Sequence, residues 1–463
     1  MDIQTKKKRF WLEHPAISLL LITTLILLVR ILLRGPVLLL DESEQVIMAQ
    51  NLLPGYPNQP PLYTWLQYIF FQFFGVNLFS VALLKCCLLF GCFYLFYLIS
   101  QIYCQNNLIA WCALASWALI PSIGLDLIKD NTHSILVLFA ACLTWYWFQI
   151  SHKISNSLWY SCFGVIIGIG ILAKFNYVLF FIIFFISAIS IGEHRKRLIS
   201  PYMVLSLIMA GIVTSPYIYW LLKHPDLGFA SAYKLSPAGI AYFQGLIQVI
   251  RASIFFAGPA LIALALIFYG TSFERQKNAL LYRYHLLSLP ILVIITLLGG
   301  FRHFETRWMV PILFLCPLLY LSRLKNTLRS KRILFISLCI SVQILFFGLL
   351  IYNSYSEQTQ RKQLSLNQII QIIKANPDKH DYIVSDSYWL LGNIATKLSI
   401  KKVWLILPSR EVLPKGRSLM FWTRPQIPYW INLFAQISEI TDQKPLVDSE
   451  TNEVIGGQAF AHK

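Results

Sequence analysis

Apolar positions in this chain come in long unbroken runs, with neither the alternation of a half-buried strand nor the polar stripe of a soluble helix, and short polar connections separate them. A helix crossing a bilayer core needs about 20 mostly apolar residues. Windows of that size predict eleven spans, near 16–33, 78–100, 107–125, 133–150, 158–173, 175–191, 200–222, 243–269, 283–299, 308–321 and 332–353. The first follows Lys6, Lys7, Lys8 and Arg9 as a signal peptide would, but no small-residue cleavage site follows Arg34, so it reads as an uncleaved first helix. Two helices should meet around Ala173 to Phe175, where Lys174 interrupts the hydrocarbon.

After Tyr352 the pattern changes, and no later run is long enough to cross lipid. Gln363 to Ala375 and Ser387 to Lys397 read as helices, Asp381 to Ser385 and Val403 to Leu407 as short strands. The expected organisation is therefore a polytopic, all-α membrane domain over 1–353 and a small α/β domain over 354–463. Phe421, Trp422, Pro425, Tyr429 and Trp430 suit the core of that small domain first, and an aromatic rim at the headgroups second.

Composition agrees with the pattern: the chain of 463 residues is 57% hydrophobic and only 13% charged, where a soluble globule carries about 25%. Disorder, a collagen-like fibre and a disulfide-stapled module are excluded. The net charge of +18 raises nucleic acid as a partner, but the bases sit in short connections between apolar runs, so no nucleic acid is expected. With a cytoplasmic N-terminus, alternate connections on that side hold sixteen bases, from Lys6 through Lys153, Arg195 to Arg197, Arg275, Lys277, Arg283 and on to Arg332. The other side holds seven, Arg34, Lys129, Lys174, Lys223, Lys234, Arg302 and Arg307, the bias of a multi-pass inner-membrane protein with its C-terminal domain outside the cytoplasm. The nine cysteines lie in or beside spans without metal-ligand spacing, and neither a Walker loop nor GxGxxG is present.

The acids gather on the side poor in bases: Asp41, Glu42, Glu44, Asp126, Asp130, Asp226 and Glu305. A carboxylate beside hydrocarbon is costly unless water, a cation or a hydrogen-bond donor receives it. Asp41 directly follows the run Val37 to Leu40 and should stand at the floor of a wet cavity. Asp41 to Asn51 has near-helical spacing, as of a short amphipathic helix lying flat on the membrane. Pro60 and Pro61 then lead into a second interfacial helix that includes Tyr63, whose aromatic residues serve at least as anchors. In IKDNTH, Asp130 or Asn131 can cap the helix that begins near His133, or Asp130 can do chemistry. Lys174 in AKFNY, and Arg302, His303, Glu305 and Arg307 in GGFRHFETRW, supply charge for a cavity wall, although Glu305 with either arginine also reads as a plain surface pair. Lys85, inside the second span, can snorkel, pair with an acid or line the cavity, and Arg251 shares that ambiguity.

Four segments, LLLDESEQVIMAQNLL, NQPPLYTWL, GIGILAKFNYVLF and ETRWMVPILF, resemble the polyprenyl-phosphate-sugar-dependent membrane glycosyltransferases, which include the protein mannosyltransferases and the lipid A aminoarabinose transferase. The resemblance covers roughly residues 10–350 and implies a GT-C-like fold. It places Asp41 at the catalytic centre with Glu42 beside it, makes Asp130 the second acid and Arg307 the late-loop base, with Pro311 behind it. Aminoarabinose-type members carry Lys before the double proline, where this chain has Gln59, so phosphate contacts fall to Lys174, Arg302 and Arg307.

The resemblance implies transfer of a sugar from a polyprenyl-phosphate carrier to a lipid, glycan or protein acceptor at the outer face of the membrane. Asp41 would accept the acceptor's proton in a single, inverting displacement, with cations receiving the leaving phosphate. Glu42 and Asp130 would orient the acceptor or hold a divalent cation such as Mg²⁺, Mn²⁺ or Zn²⁺, among which no spacing selects. Two other classes fit the same sequence. A lipid or glycolipid transporter would move substrate without cleaving a sugar-phosphate bond, and a scaffold would depend on the outer domain alone.

Overall fold

The computed structural model describes residues 14–104, 106–150, 155–230, 242–274, 278–301, 303–325, 327–400, 402–406, 415–436, 438–447 and 454–462. Among them seven helices are long and apolar enough to cross a membrane: Pro15–Leu32, Leu78–Tyr103, Asn156–Ala173, Met203–Lys223, Phe243–Ile267, Ala279–Leu298 and Arg329–Ser354. Two further candidates are bent pairs, Asn107–Leu119 with Pro121–Lys129 at 85°, and Asn176–Ile189 with Gly192–Leu198 at 118°. The chain is a multi-pass membrane protein.

Among the described residues the candidate spans therefore number seven, or nine with the bent pairs, against the eleven windows read from sequence. The 133–150 window is an 18-residue helix, Thr132–Gln149, with a largely buried surface. The 308–321 window is broken into Thr306–Met309, Val310–Leu313 and Cys316–Leu321. Pro311 and Pro317 each open a new turn there, because proline has no N–H to continue the previous one. The break expected around Ala173 to Phe175 is found between Asn156–Ala173 and Asn176–Ile189, with Lys174 extended.

The described residues form two units. One holds Lys85–Leu349, Leu53–Tyr63 and the described part of the chain up to Ile26. In it Asn156–Ala173 lies against Met203–Lys223 at glycines. A Cβ on Gly164 would come within 2.7 Å of the Ser206 Cα, and one on Gly168 within 2.8 Å of the Val213 side chain. The Ser206 hydroxyl donates to the Tyr160 carbonyl at 2.7 Å across the same contact. Such close backbone approach replaces the hydrophobic drive that lipid cannot supply. Elsewhere in the unit Trp145 meets Phe184 and Tyr284 edge-on, and the Trp117 indole donates to the Phe314 carbonyl at 3.0 Å.

The other unit combines Leu350–Lys463 with Leu27–Leu52 and Thr64–Leu84. Its five strands are β1 Tyr382–Ser385, β2 Val403–Leu405, β3 Arg417–Trp422, β4 Glu439–Val447 and β5 Val454–His462, in the order β2-β1-β3-β5-β4. β1 runs parallel to β2 and β3, whereas β5 is antiparallel to β3 and β4. Alternation along β3 sends Leu419 and Phe421 to one core, Met420 and Trp422 to the other. The first core takes residues from the helices Glu357–Ala375 and Tyr388–Leu398 and also Leu38, Val46, Phe71, Val76 and Val81. Phe421, Trp422 and Trp430 are core residues, the use that their sequence context favours, while Tyr429 is exposed.

Candidate active site

Asp41 stands in the first turn of the helix Leu40–Met48, where an acid is favoured by the helix dipole, and is half-buried. The residue before this helix, Leu39, has no side chain that can cap. Glu42 reaches back instead and accepts the Leu39 N–H at 3.2 Å, one half of a capping box. The Glu42 carboxylate is 0% exposed and accepts from the Arg30 guanidinium at 2.9 Å, and Arg30 also donates to the carbonyls of Gly35 and Val37 at 3.0 and 3.2 Å. The buried face of this helix is largely polar, made by Glu42, Ser43 and Gln45 with Val46. An amphipathic helix lying flat on the membrane would bury apolar residues only. Here the buried groups have protein partners: Thr64 donates to the Gln45 Oε1 at 2.8 Å, and Asn393 of the Tyr388–Leu398 helix contacts Ser43 at 3.3 Å. Pro61 ends the preceding turn, and the second helix follows at Leu62–Phe74.

In the unit that contains Lys85–Leu349, three loops meet. Asp130 ends the short helix Asp126–Lys129, and Asn131, in the left-handed region at φ 35°, starts Thr132–Gln149 without a side-chain cap. Asn131 is thus the residue at the cap position, but its side chain does not make the cap that the sequence offered. His133 Nδ1 lies 3.2 Å from the Ala173 carbonyl, and since a carbonyl only accepts, that nitrogen carries the proton. The Tyr63 ring stands 5.5 Å from the His133 ring, centroid to centroid. Lys174 donates to the Ser134 hydroxyl at 2.8 Å, and Lys85 to the Lys129 carbonyl at 3.4 Å. Asn176 donates to the Trp308 carbonyl at 3.2 Å, which ties the 173–176 turn to the 305–308 loop. In that loop Arg307 pairs with Glu305, and His303 lies 3.7 Å from the same carboxylate. Lys129 and Arg307 are the cations that act on Asp126.

This loop cluster thus brings together Tyr63, Lys85, Asp130, His133, Lys174, Glu305 and Arg307 with Asp126 and Lys129, which the sequence placed on the same side without a role, and with Ser134. Mixed carboxylates and cations of this kind can receive a phosphate on one side and a polar sugar or acceptor on the other. Arg302 lies outside the described residues. Arg251 stands elsewhere, its guanidinium 5.4 Å from the Phe255 ring. No cluster of three or more His, Cys, Asp or Glu that could hold a metal ion occurs among the described residues. Sequence reasoning missed Arg30, which sits inside the first apolar run, and Asn393, whose partners are far away along the chain.

A family model described as dolichyl-phosphate-mannose-protein mannosyltransferase matches residues 58–220. The lipopolysaccharide core galacturonosyltransferase RgtB of Rhizobium johnstonii is 31% identical over 293 residues, 61% of this chain and 59% of that protein. Its lipopolysaccharide core galacturonosyltransferase RgtA is 29% identical over 300 residues, 62% of this chain and 60% of that one. The match thus spans about three fifths of these relatives' own length. In fold, the crystal structure of ArnT from Cupriavidus metallidurans bound to undecaprenyl phosphate superposes with a TM-score of 0.62 over 96% of this chain and 97% of that one, at 11% identity. In sequence over three fifths of its length and in its GT-C-like fold over nearly all of it, the chain is similar to the polyprenyl-phosphate-sugar-dependent membrane glycosyltransferases.

Proposed function

We propose that the chain is an inverting glycosyltransferase that takes a sugar from a polyprenyl-phosphate carrier and transfers it to a lipid or glycan acceptor at the non-cytoplasmic face of the membrane. The observation that carries this reading is the meeting of the 126–134, 173–176 and 305–308 loops, which groups Asp130, His133, Lys174 and Arg307 in one unit. The similarity to enzymes named for galacturonosyl transfer to lipopolysaccharide core supports galacturonic acid as the sugar and a lipopolysaccharide core as the acceptor. A uronic acid brings a second anion beside the phosphate, and the clustered lysines and arginine suit that charge.

In this reading Asp41 accepts the proton of an acceptor hydroxyl as the oxygen attacks the anomeric carbon. The carbon–oxygen bond to the lipid phosphate breaks on the opposite face, and the phosphomonoester leaves with its electron pair. Lys174 and Arg307, with Arg302, stabilise that charge, so no acid catalyst is required. Asp130 orients the acceptor, and Glu42 holds the helix of Asp41. In the same reading the N-terminus lies in the cytoplasm, and the residues after 354 lie on the far side of the membrane.

Mass spectrometry of lipids and glycans from cells with and without the gene tests the proposal. One missing hexuronic acid on the lipopolysaccharide core is the expected result, and an unchanged core with lipid-linked sugar stranded on one leaflet would favour transport instead. Asp41→Asn should preserve the folded protein and lower turnover at least about 10²-fold. Wild-type turnover in the purified variant would remove Asp41 from the chemistry.

A further inference from the structure

Asn393 is 1% exposed and directs both ends of its amide at the segment around Asp41, with one further bond to its own helix. Its Oδ1 accepts the Leu38 N–H at 2.8 Å, while its Nδ2 donates to the Leu38 carbonyl and to the Ser43 hydroxyl, each at 3.3 Å, and to the Trp389 carbonyl of its own helix at 2.8 Å. The side chain thus pairs with the Leu38 peptide on both sides, as a neighbouring strand would. Beside it Gly392 allows close approach, since a Cβ there would come within 2.6 Å of the Ser43 Cα. Leu38 and Ser43 bracket the first turn of the helix that carries Asp41. A short helix of nine residues has little stability of its own. Its place is therefore set by what grips its start: Arg30 on Glu42, and Asn393 on Leu38 and Ser43.

We propose that Asn393 is a positioning residue for Asp41, acting through the Leu38 peptide and Ser43. The helix Tyr388–Leu398 is thereby the element that fixes the Leu38–Ser43 segment and, through it, the backbone of Asp41. This rests on the reading of Asp41 as the proton acceptor. A displacement of about 1 Å at a reacting group can lower turnover about 10²-fold without weakening substrate binding.

The test uses the full-length protein in lipid nanodiscs and compares Asn393→Ala with wild type by hydrogen–deuterium exchange and by kinetics. Donor and acceptor probes are undecaprenyl-phosphate-linked galacturonic acid and lipopolysaccharide core. Exchange in peptides covering 36–48 should rise on the order of tenfold, as for loss of a buried hydrogen bond, while exchange in β1 stays unchanged. Turnover should fall roughly 10- to 100-fold with KM for the donor unaltered. Unchanged exchange over 36–48 would overturn the proposal, as would faster exchange with wild-type turnover, or a loss that appears in KM alone. If Asn393→Ala fails to fold, Gly392→Ala takes its place: alanine favours the helix but presses on Ser43, and the same two readouts decide. Asp41→Asn run in parallel separates the two claims, since wild-type turnover there removes the role of Asp41, whereas the exchange arm, which needs no substrate, still decides the clasp.

Discussion

Glu42 and Arg30 lie at 0% and 5% exposure, so their charges face each other with almost no water between. Removing one member of such a pair leaves a buried charge uncompensated and costs about 3–5 kcal/mol, whereas replacing both with apolar residues is often nearly neutral. Glu42→Gln should therefore lower the thermal unfolding temperature sharply, and the double change Arg30→Met with Glu42→Leu should restore much of it. A double variant that melts no higher than Glu42→Gln would refute this compensation. A different case stands at the surface of the sheet. Asp381 accepts hydrogen bonds from the Arg417 backbone N–H at 3.0 Å and from its guanidinium at 3.1 Å. Those bonds and the guanidinium charge hold its carboxyl down to about 2 from an ordinary 3.8. A depressed carboxyl stabilises the fold above the unfolded value and loses that contribution as pH falls, here between about pH 4 and pH 2. Asp381→Asn should flatten the acid limb of the unfolding profile in that window, as circular dichroism would record. Asp41 is singled out in the sequence by its place at the end of an apolar run, and the structure puts it in the first turn of Leu40–Met48. Asn393 is not singled out, because nothing local marks an asparagine whose partner is 355 residues away.

Among the elements, the contact between Asn156–Ala173 and Met203–Lys223 depends on two glycines one helical turn apart. Gly164→Val would drive a branched side chain against the Ser206 backbone, an overpacking that costs about 1–3 kcal/mol, and the folded fraction in detergent should drop accordingly. Gly211→Ala, on the facing helix with nothing within 4 Å of an added Cβ, is the control and should melt as wild type. The turn at 173–176 can be read from the sequence because Lys174 and Asn176 stop two apolar runs at once. The 308–321 window misleads because its hydropathy is that of a span while Pro311 and Pro317 divide its hydrogen bonding. β1, β2 and their helices are visible as alternating and periodic runs. β5 is hidden by Gly456 and Gly457, and β4 by its charged, exposed face and the irregular register between Thr441 and Lys444. The helix at Leu40–Met48 is legible in the spacing, but its environment is not, since the pattern of a surface helix and that of a helix with partnered polar groups look alike.

For the molecule as a whole, the distribution of bases predicts that Lys325 faces the cytoplasm and that Asp378, Asp41 and Asp130 share the opposite side. Single cysteines at these positions in a cysteine-free background, labelled from one side of sealed vesicles, check that arrangement. Asp41 and Asp130 on different sides would separate the two acids for good. The bond between Leu38 and Asn393 adds a constraint of another kind, one of timing. A nascent chain delivers its N-terminal stretch to the membrane first, and that stretch must wait for its Asn393 partner until some 350 further residues have left the ribosome. A product of translation that ends before residue 393 lacks the amide that Leu38 and Ser43 contact, so this part of the fold is completed late in synthesis. A ribosome that stalls earlier leaves the Leu38–Ser43 segment without the Asn393 contacts.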